Sequence, residues 1–114
     1  MTPGKYNLRL YSGDTYRWRF QLWADDDKTV PANLTGVTAL AQIRNKPGGD
    51  ELLAEMPCVV TQPNLIDMTL SAEACDALPA TGSWDLQLTY PNQDITTVLT
   101  GTVTVTQDVT TKVV

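Results

Sequence analysis

Apolar and polar residues alternate with a period of two along most of this chain. Tyr6, Leu8 and Leu10 alternate with Asn7, Arg9 and Tyr11, the pattern of a strand with one buried face. Ser12-Gly13-Asp14-Thr15 reads as a turn, with Gly13 available for positive φ. Tyr16, Trp18, Phe20 and Leu22 then alternate with Arg17, Arg19 and Gln21, so the two runs are expected to pair as an antiparallel hairpin. Trp23 falls on the polar side. Residues 24–31 form a solvated turn. Val37 to Arg44 reads as a third strand, where the small Ala39 and Ala41 mark a crowded spot. Residues 45–50 turn again, 51–57 are read as strand because their neighbours are strands, and 61–64 make a further turn. Leu65 to Leu70 follows as a strand with Ile66, Met68 and Leu70 in phase.

One segment breaks the alternation. Ser71 to Leu78 is expected to form a short helix, with Ser71 as its cap and Glu73 in the first turn, where the helix dipole favours an anion. Pro79 stops it. Leu78 would meet Ala74 or Cys75 on one face and plug an open end of the fold. After a turn at Thr81-Gly82, Trp84, Leu86, Leu88 and Tyr90 alternate with Asp85, Gln87 and Thr89. Residues 91–94 make a hairpin loop, and Leu99, Gly101, Val103 and Val105 alternate with threonines. Six to eight short strands, with turn signals about every 8–12 residues, predict a mainly β sandwich or small barrel. Residues 1–114 make one domain, with arms expected at 1–5 and 107–114. Val109 and Val113 lie in a stretch of high β-propensity, either an arm that adds to a neighbour's sheet edge or a frayed terminus.

Composition narrows the function classes. With 42% hydrophobic and 18% charged residues over 114 positions, the chain can bury a core of its own. The net charge of −5 opposes both phosphate tracking and an anionic membrane, so neither nucleic acid nor membrane is expected as a partner. No apolar run approaches the ~20 residues of a spanning helix, and the opening residues carry no secretory pattern. Cys58 and Cys75 are expected as free thiols of a reducing compartment, Cys75 packing as a small hydrophobe.

The residues give little for chemistry. The chain has no histidine, which removes the commonest general base and metal ligand. No phosphate-cradling glycine motif is present. Two cysteines cannot close a zinc site. Asp25-Asp26-Asp27 offers carboxylates but lacks the alternating ligands of a calcium loop, and reads as a hydrated hairpin tip. Asp67 and Asp85 lie in strands with nothing to mark them as a hydrolytic pair. No catalytic residue, metal, cofactor or small-molecule substrate is expected, and the chain is read as a non-enzyme.

What remains is surface. Trp18 and Trp84 sit in phase with aliphatic neighbours and read as core rather than as sugar platforms. Tyr11 and Trp23 are out of phase and are candidates for a contact surface. Arg9, Arg17 and Arg19 are expected together on the outward face of the first hairpin, facing Asp85 or a neighbouring subunit. The candidate protein interface is therefore Arg9, Tyr11, Arg17, Arg19, Trp23, Val109 and Val113.

The order of motifs adds a resemblance. Gly13-Asp14-Thr15 precedes an aromatic strand, and a loop over 25–36 leads to Ala41-Gln42-Ile43-Arg44. Leu70-Ser71-Ala72-Glu73 opens the helix, Leu78-Pro79-Ala80-Thr81-Gly82-Ser83-Trp84-Asp85-Leu86 follows, and Leu99 to Val105 closes. Over about residues 6–106 this resembles small virion proteins of tailed bacteriophages, in particular the N-terminal β-sandwich domain of baseplate upper proteins. The resemblance implies an immunoglobulin-like antiparallel sandwich in the virion, made in the bacterial cytoplasm. It would self-associate as a homo-oligomer and dock other virion proteins of the baseplate or tail. The chain ends near residue 114, where baseplate proteins continue, which leaves a capsid decoration (cement) protein as an alternative. A carbohydrate-binding module for host surface glycan is the alternative from another class.

Overall fold

The protein is described by a computed structural model covering residues 4–25, 27–46, 49 and 51–106. Among these residues the period-two segments form nine strands. They are β1 (Gly4–Lys5), β2 (Leu8–Tyr11), β3 (Tyr16–Gln21), β4 (Thr38–Arg44), β5 (Leu52–Met56), β6 (Cys58–Thr61), β7 (Leu65–Leu70), β8 (Thr81–Thr89) and β9 (Ile95–Thr106). A single helical turn, α1 (Ala72–Asp76), joins β7 to β8. The strands make two sheets packed as a sandwich. The larger is six-stranded, ordered β5-β4-β8-β9, with β1 and β2 both on the far edge of β9. The smaller is β3-β7-β6. All pairings are antiparallel except those of β1 and β2, which run parallel to β9.

The core follows from the alternation. Ala41 and Ile43 of β4, Trp84, Leu86 and Leu88 of β8, and Val103 and Val105 of β9 turn inward from the large sheet. Ile66, Met68 and Leu70 of β7 face them from the small sheet, each fully buried. Burying a side chain of this size stabilises by about 1.5–3 kcal/mol, so the three β7 positions alone outweigh any surface interaction in the domain. Trp84 is core, as its phase predicts. Trp18 is only partly buried, because β3 is an edge strand, and it stacks on Tyr16 at 5.7 Å.

The predicted hairpin does not form. β2 and β3 separate at the 12–15 turn and enter different sheets, β2 beside β9 and β3 beside β7. Alternation dictates which face a strand buries but not its partner. β9 is twelve residues long and offers an edge on which Leu8 lies opposite Val103 and Leu10 opposite Val105. The turn between the sheets is held by local polar contacts. Gly13 takes φ 85°, the Tyr11 N–H donates to the Tyr16 hydroxyl (2.8 Å), and the Ser12 N–H donates to the Thr106 carbonyl (2.9 Å).

A second sheet switch occurs at Pro57. β5 belongs to the large sheet and β6 to the small one, so residues 52–61 make two strands where one was expected over 51–57. Proline has no N–H to continue a ladder, and here its carbonyl accepts from Thr69 (3.0 Å). Gly4 and Lys5, expected in a flexible or partner-bound arm, pair with Leu99 and Thr100 of the same chain. The helix is shorter than predicted, but Ser71 caps it as expected, its hydroxyl accepting from the Ala74 N–H at 3.1 Å. α1 also secures the first sheet switch. The buried Cys75 thiol donates to the Tyr11 carbonyl (3.3 Å), and Ser12 donates to Asp76 (3.1 Å).

Candidate functional site

The expected interface residues do not share one face. Arg9 lies opposite Thr104 on the large sheet, whereas Arg17 and Arg19 lie on the outer face of the small sheet. The cause is the missing hairpin: once β2 and β3 enter different sheets, their outward faces point to opposite sides of the sandwich. Arg19 is not held by Asp85. Its guanidinium makes a two-point bond to Asp67 directly across the strand pair, at 2.7 and 3.2 Å. That hydrogen bond, and the charge behind it, hold the Asp67 carboxyl below its usual range. Tyr11 is exposed, as expected, at the end of β2. Trp23 is half-buried and bridges to Pro31 across the loop. Val109 and Val113 lie outside the described residues.

The acidic tip resolves into a turn. The Asp25 carboxylate accepts from the Thr29 hydroxyl, the Thr29 N–H (3.0 Å) and the Val30 N–H (2.9 Å). These bonds, the Thr29 hydroxyl's first, hold Asp25 below the ordinary carboxylate range and occupy the oxygens a cation would need. Among the described residues no three His, Cys, Asp or Glu side chains come together as a metal site. Asp67 and Asp85 sit on different sheets, so they form no hydrolytic pair. Burial pushes the Cys58 thiol up to about 11, which keeps it protonated near neutral pH.

The most built feature of the surface lies elsewhere, on the outer face of the large sheet. The register sets polar side chains in rows across the strands. Gln42 of β4 faces Asp85 of β8, which faces Thr100 of β9. Arg44 faces Ser83 on one side of that row, and Leu40 faces Gln87 on the other. These positions form a groove of about 400 Å³. Apart from Leu40 they are only half-exposed although they point outward. Arg44 braces the groove, donating to the Gln42 side-chain oxygen (2.9 Å) and to the Gly49 carbonyl (3.2 Å). Burial raises the Asp85 carboxyl above its ordinary range, and the nearby Arg44 charge pulls it partly back. In the sequence Asp85 stands out only as a partner for arginines or, with Asp67, as an unmarked carboxylate pair. The available signal was hydrogen-bonding residues at successive outward positions of two adjacent strands, Gln42 and Arg44 on β4 and Ser83, Asp85 and Gln87 on β8.

Comparison with known proteins adds a family. No curated protein matches the chain. The match to the family model described as LtfC-like, beta-sandwich domain runs over residues 2–106, nearly the whole chain and every strand of both sheets. This protein therefore belongs to the LtfC-like β-sandwich domain family.

Proposed function

We propose that this domain is a structural component of a tailed-phage particle, a part of the baseplate or tail that self-associates and docks other virion proteins. The observation that carries the reading is the state of the small sheet's edges. Among the described residues β3 and β6 each pair with β7 alone, so each offers a free strand edge. An unpaired edge is a template for another chain unless charge, proline or a bulge protects it. β3 is protected by Arg17 and Arg19. β6 reads Cys-Val-Val-Thr, carries no charge, and presents an exposed Val59. An edge of that kind suits a protein that buries it against a neighbour. Family membership supplies the β-sandwich architecture that this reading needs.

Two elements supply the contact in this reading. β6 is the acceptor edge, and the candidate to add to it is residues 107–114 of a second copy, which lie outside the described residues. Light scattering on the full chain and on residues 1–106 tests the proposal. The full chain is expected to run as an oligomer and the shortened chain as a smaller species. A full chain that stays monomeric at every concentration would remove self-association from the account.

A further inference from the structure

The groove on the large sheet plays no part in edge-to-edge assembly, and its polar groups are unevenly used. Among the described residues nothing donates a hydrogen bond to the Asp85 carboxylate. Because Arg44 occupies the Gln42 oxygen, the Gln42 amide nitrogen is left facing the groove as a donor. Gln87 donates to the Thr97 hydroxyl at 3.5 Å, a long bond, and its side-chain oxygen is left as an acceptor. Thr100 donates to the Trp84 carbonyl (3.3 Å), which leaves its oxygen's lone pairs outward. Unused donors and unused acceptors thus alternate over one small concave surface, with a partly exposed Leu40 at one end.

We infer that this groove, centred on Gln42, Asp85, Gln87 and Thr100, is a binding site for a neutral polyhydroxylated ligand, a hexose unit of a glycan. Hydroxyl groups both donate and accept, so they suit a surface that mixes the two roles. The paired oxygens of Asp85 accept from adjacent hydroxyls, the Gln42 amide donates back, and Leu40 covers the C–H face of the ring. Other ligand classes fit less well. Arg44 and Lys46 line one end of the groove and Asp85 its centre, so a carboxylate or phosphate would meet Asp85 while Arg44 already donates to Gln42 and Gly49, and a cation would meet two like charges with a single acidic group to hold it. An apolar ligand would find only Leu40. A volume of about 400 Å³ lies within the range of small-ligand clefts. The site does not use the Trp84 ring as a platform, because that side chain is turned into the core and buried. It is independent of the particle reading, and either can fail without the other.

The test is an amide chemical-shift titration of the isotope-labelled full chain. The probes are glucose, galactose and N-acetylglucosamine, each taken to about 50 mM, well above a millimolar dissociation constant. Acetate and cyclohexanol serve as the anionic and apolar comparisons. At least one sugar is expected to give saturable shifts confined to residues 40–44, 83–87 and 99–101, with neither comparison doing so. Asp85→Asn is expected to weaken that sugar about tenfold or more, and Gln87→Ala to weaken it also. Arg19→Ala, on the other sheet, is expected to leave it unchanged. Gln87→Ala carries the test if Asp85→Asn fails to give a native amide spectrum. No saturable sugar shift in the groove, an equal response to acetate or cyclohexanol, or binding unchanged in the groove variants would each overturn the proposal.

Discussion

Substituting Gly101 with alanine should detach the N-terminal edge of the large sheet. Gly101 lies opposite Trp84 in the β8–β9 ladder, and the chain from β1 to β2 passes directly over it. A Cβ at this position would collide with the Tyr6 carbonyl oxygen, and would stand 2.7 Å from its carbon and 2.9 Å from the Trp84 indole nitrogen. The obstructing atoms are backbone and a buried ring, so no flexible side chain can swing away. Displacing Tyr6 breaks its N–H bond to Thr100 (2.9 Å) and the indole bond from Trp84 (2.7 Å), and loosens the Thr102 bond to Asn7 (3.1 Å). Each is worth about 1 kcal/mol net, and an indole N–H left buried without a partner costs a further 1–3 kcal/mol or so. Replacing glycine in a strand returns about 0.5–1 kcal/mol. The net loss is about 3 kcal/mol. With an unfolding entropy of roughly 2.1 cal/mol/K per residue, that lowers Tm by about 12 °C. Thermal unfolding by circular dichroism and urea unfolding by tryptophan fluorescence measure it. Hydrogen exchange should show the Tyr6 amide and the Trp84 indole losing protection first. A variant whose Tm stays within about 2 °C of the parent would refute the reasoning, as would one that keeps the Trp84 indole fully protected.

Three further outcomes follow from other parts of the fold. Ser71→Ala removes the N-terminal side-chain cap of α1 and should cost about 1 kcal/mol in urea unfolding, since the Ala74 N–H loses its acceptor. Cys58, raised to about 11 by burial, should resist alkylation at neutral pH and gain reactivity only as the pH approaches that value, followed by peptide mass mapping. Because its folded pKa lies above the unfolded one of about 9, the linked stability is complete below pH 9 and is lost as pH rises through about 11. Arg19→Ala should leave the unfolding midpoint at neutral pH and moderate salt unchanged within error, because the pair is solvent-exposed. The Asp67 carboxyl should then titrate nearer its ordinary value by NMR. In the parent its small contribution is present above the ordinary carboxylate range and fades as pH falls through the lowered one.

The sequence pattern carried the faces of the strands well and their partners poorly. Ile66, Met68 and Leu70, and Trp84, Leu86 and Leu88, are buried in the phase that their spacing predicts. Ser71 caps the helix for the local reason that singled it out. Period-two alternation holds equally for a strand beside its sequence neighbour and for one beside a strand ninety residues away. Leu8 and Leu10 therefore gave no sign that Val103 and Val105 would cover them. The hairpin error then moved Arg9 onto the wrong surface and gave Arg19 the wrong partner. Pro57 was a visible punctuation mark, but whether the chain turned or changed sheets there depended on the opposing Thr69. The groove was hidden for a related reason. Gln42, Asp85 and Thr100 are far apart in sequence and become neighbours only through the register of three strands.

The proposed role packs this domain into a phage particle through the edge of β6. Cryo-electron microscopy of purified particles of the encoding phage, with peptide mass spectrometry of the same preparation, tests that most directly. The predicted result is density for the two-sheet sandwich in the baseplate or tail, with Cys58–Thr61 covered by a neighbouring chain and peptides from residues 4–106 recovered in fixed proportion to the other virion proteins. Particles that are complete and infectious without this chain, or a sandwich in the particle with β6 open to solvent, would contradict it.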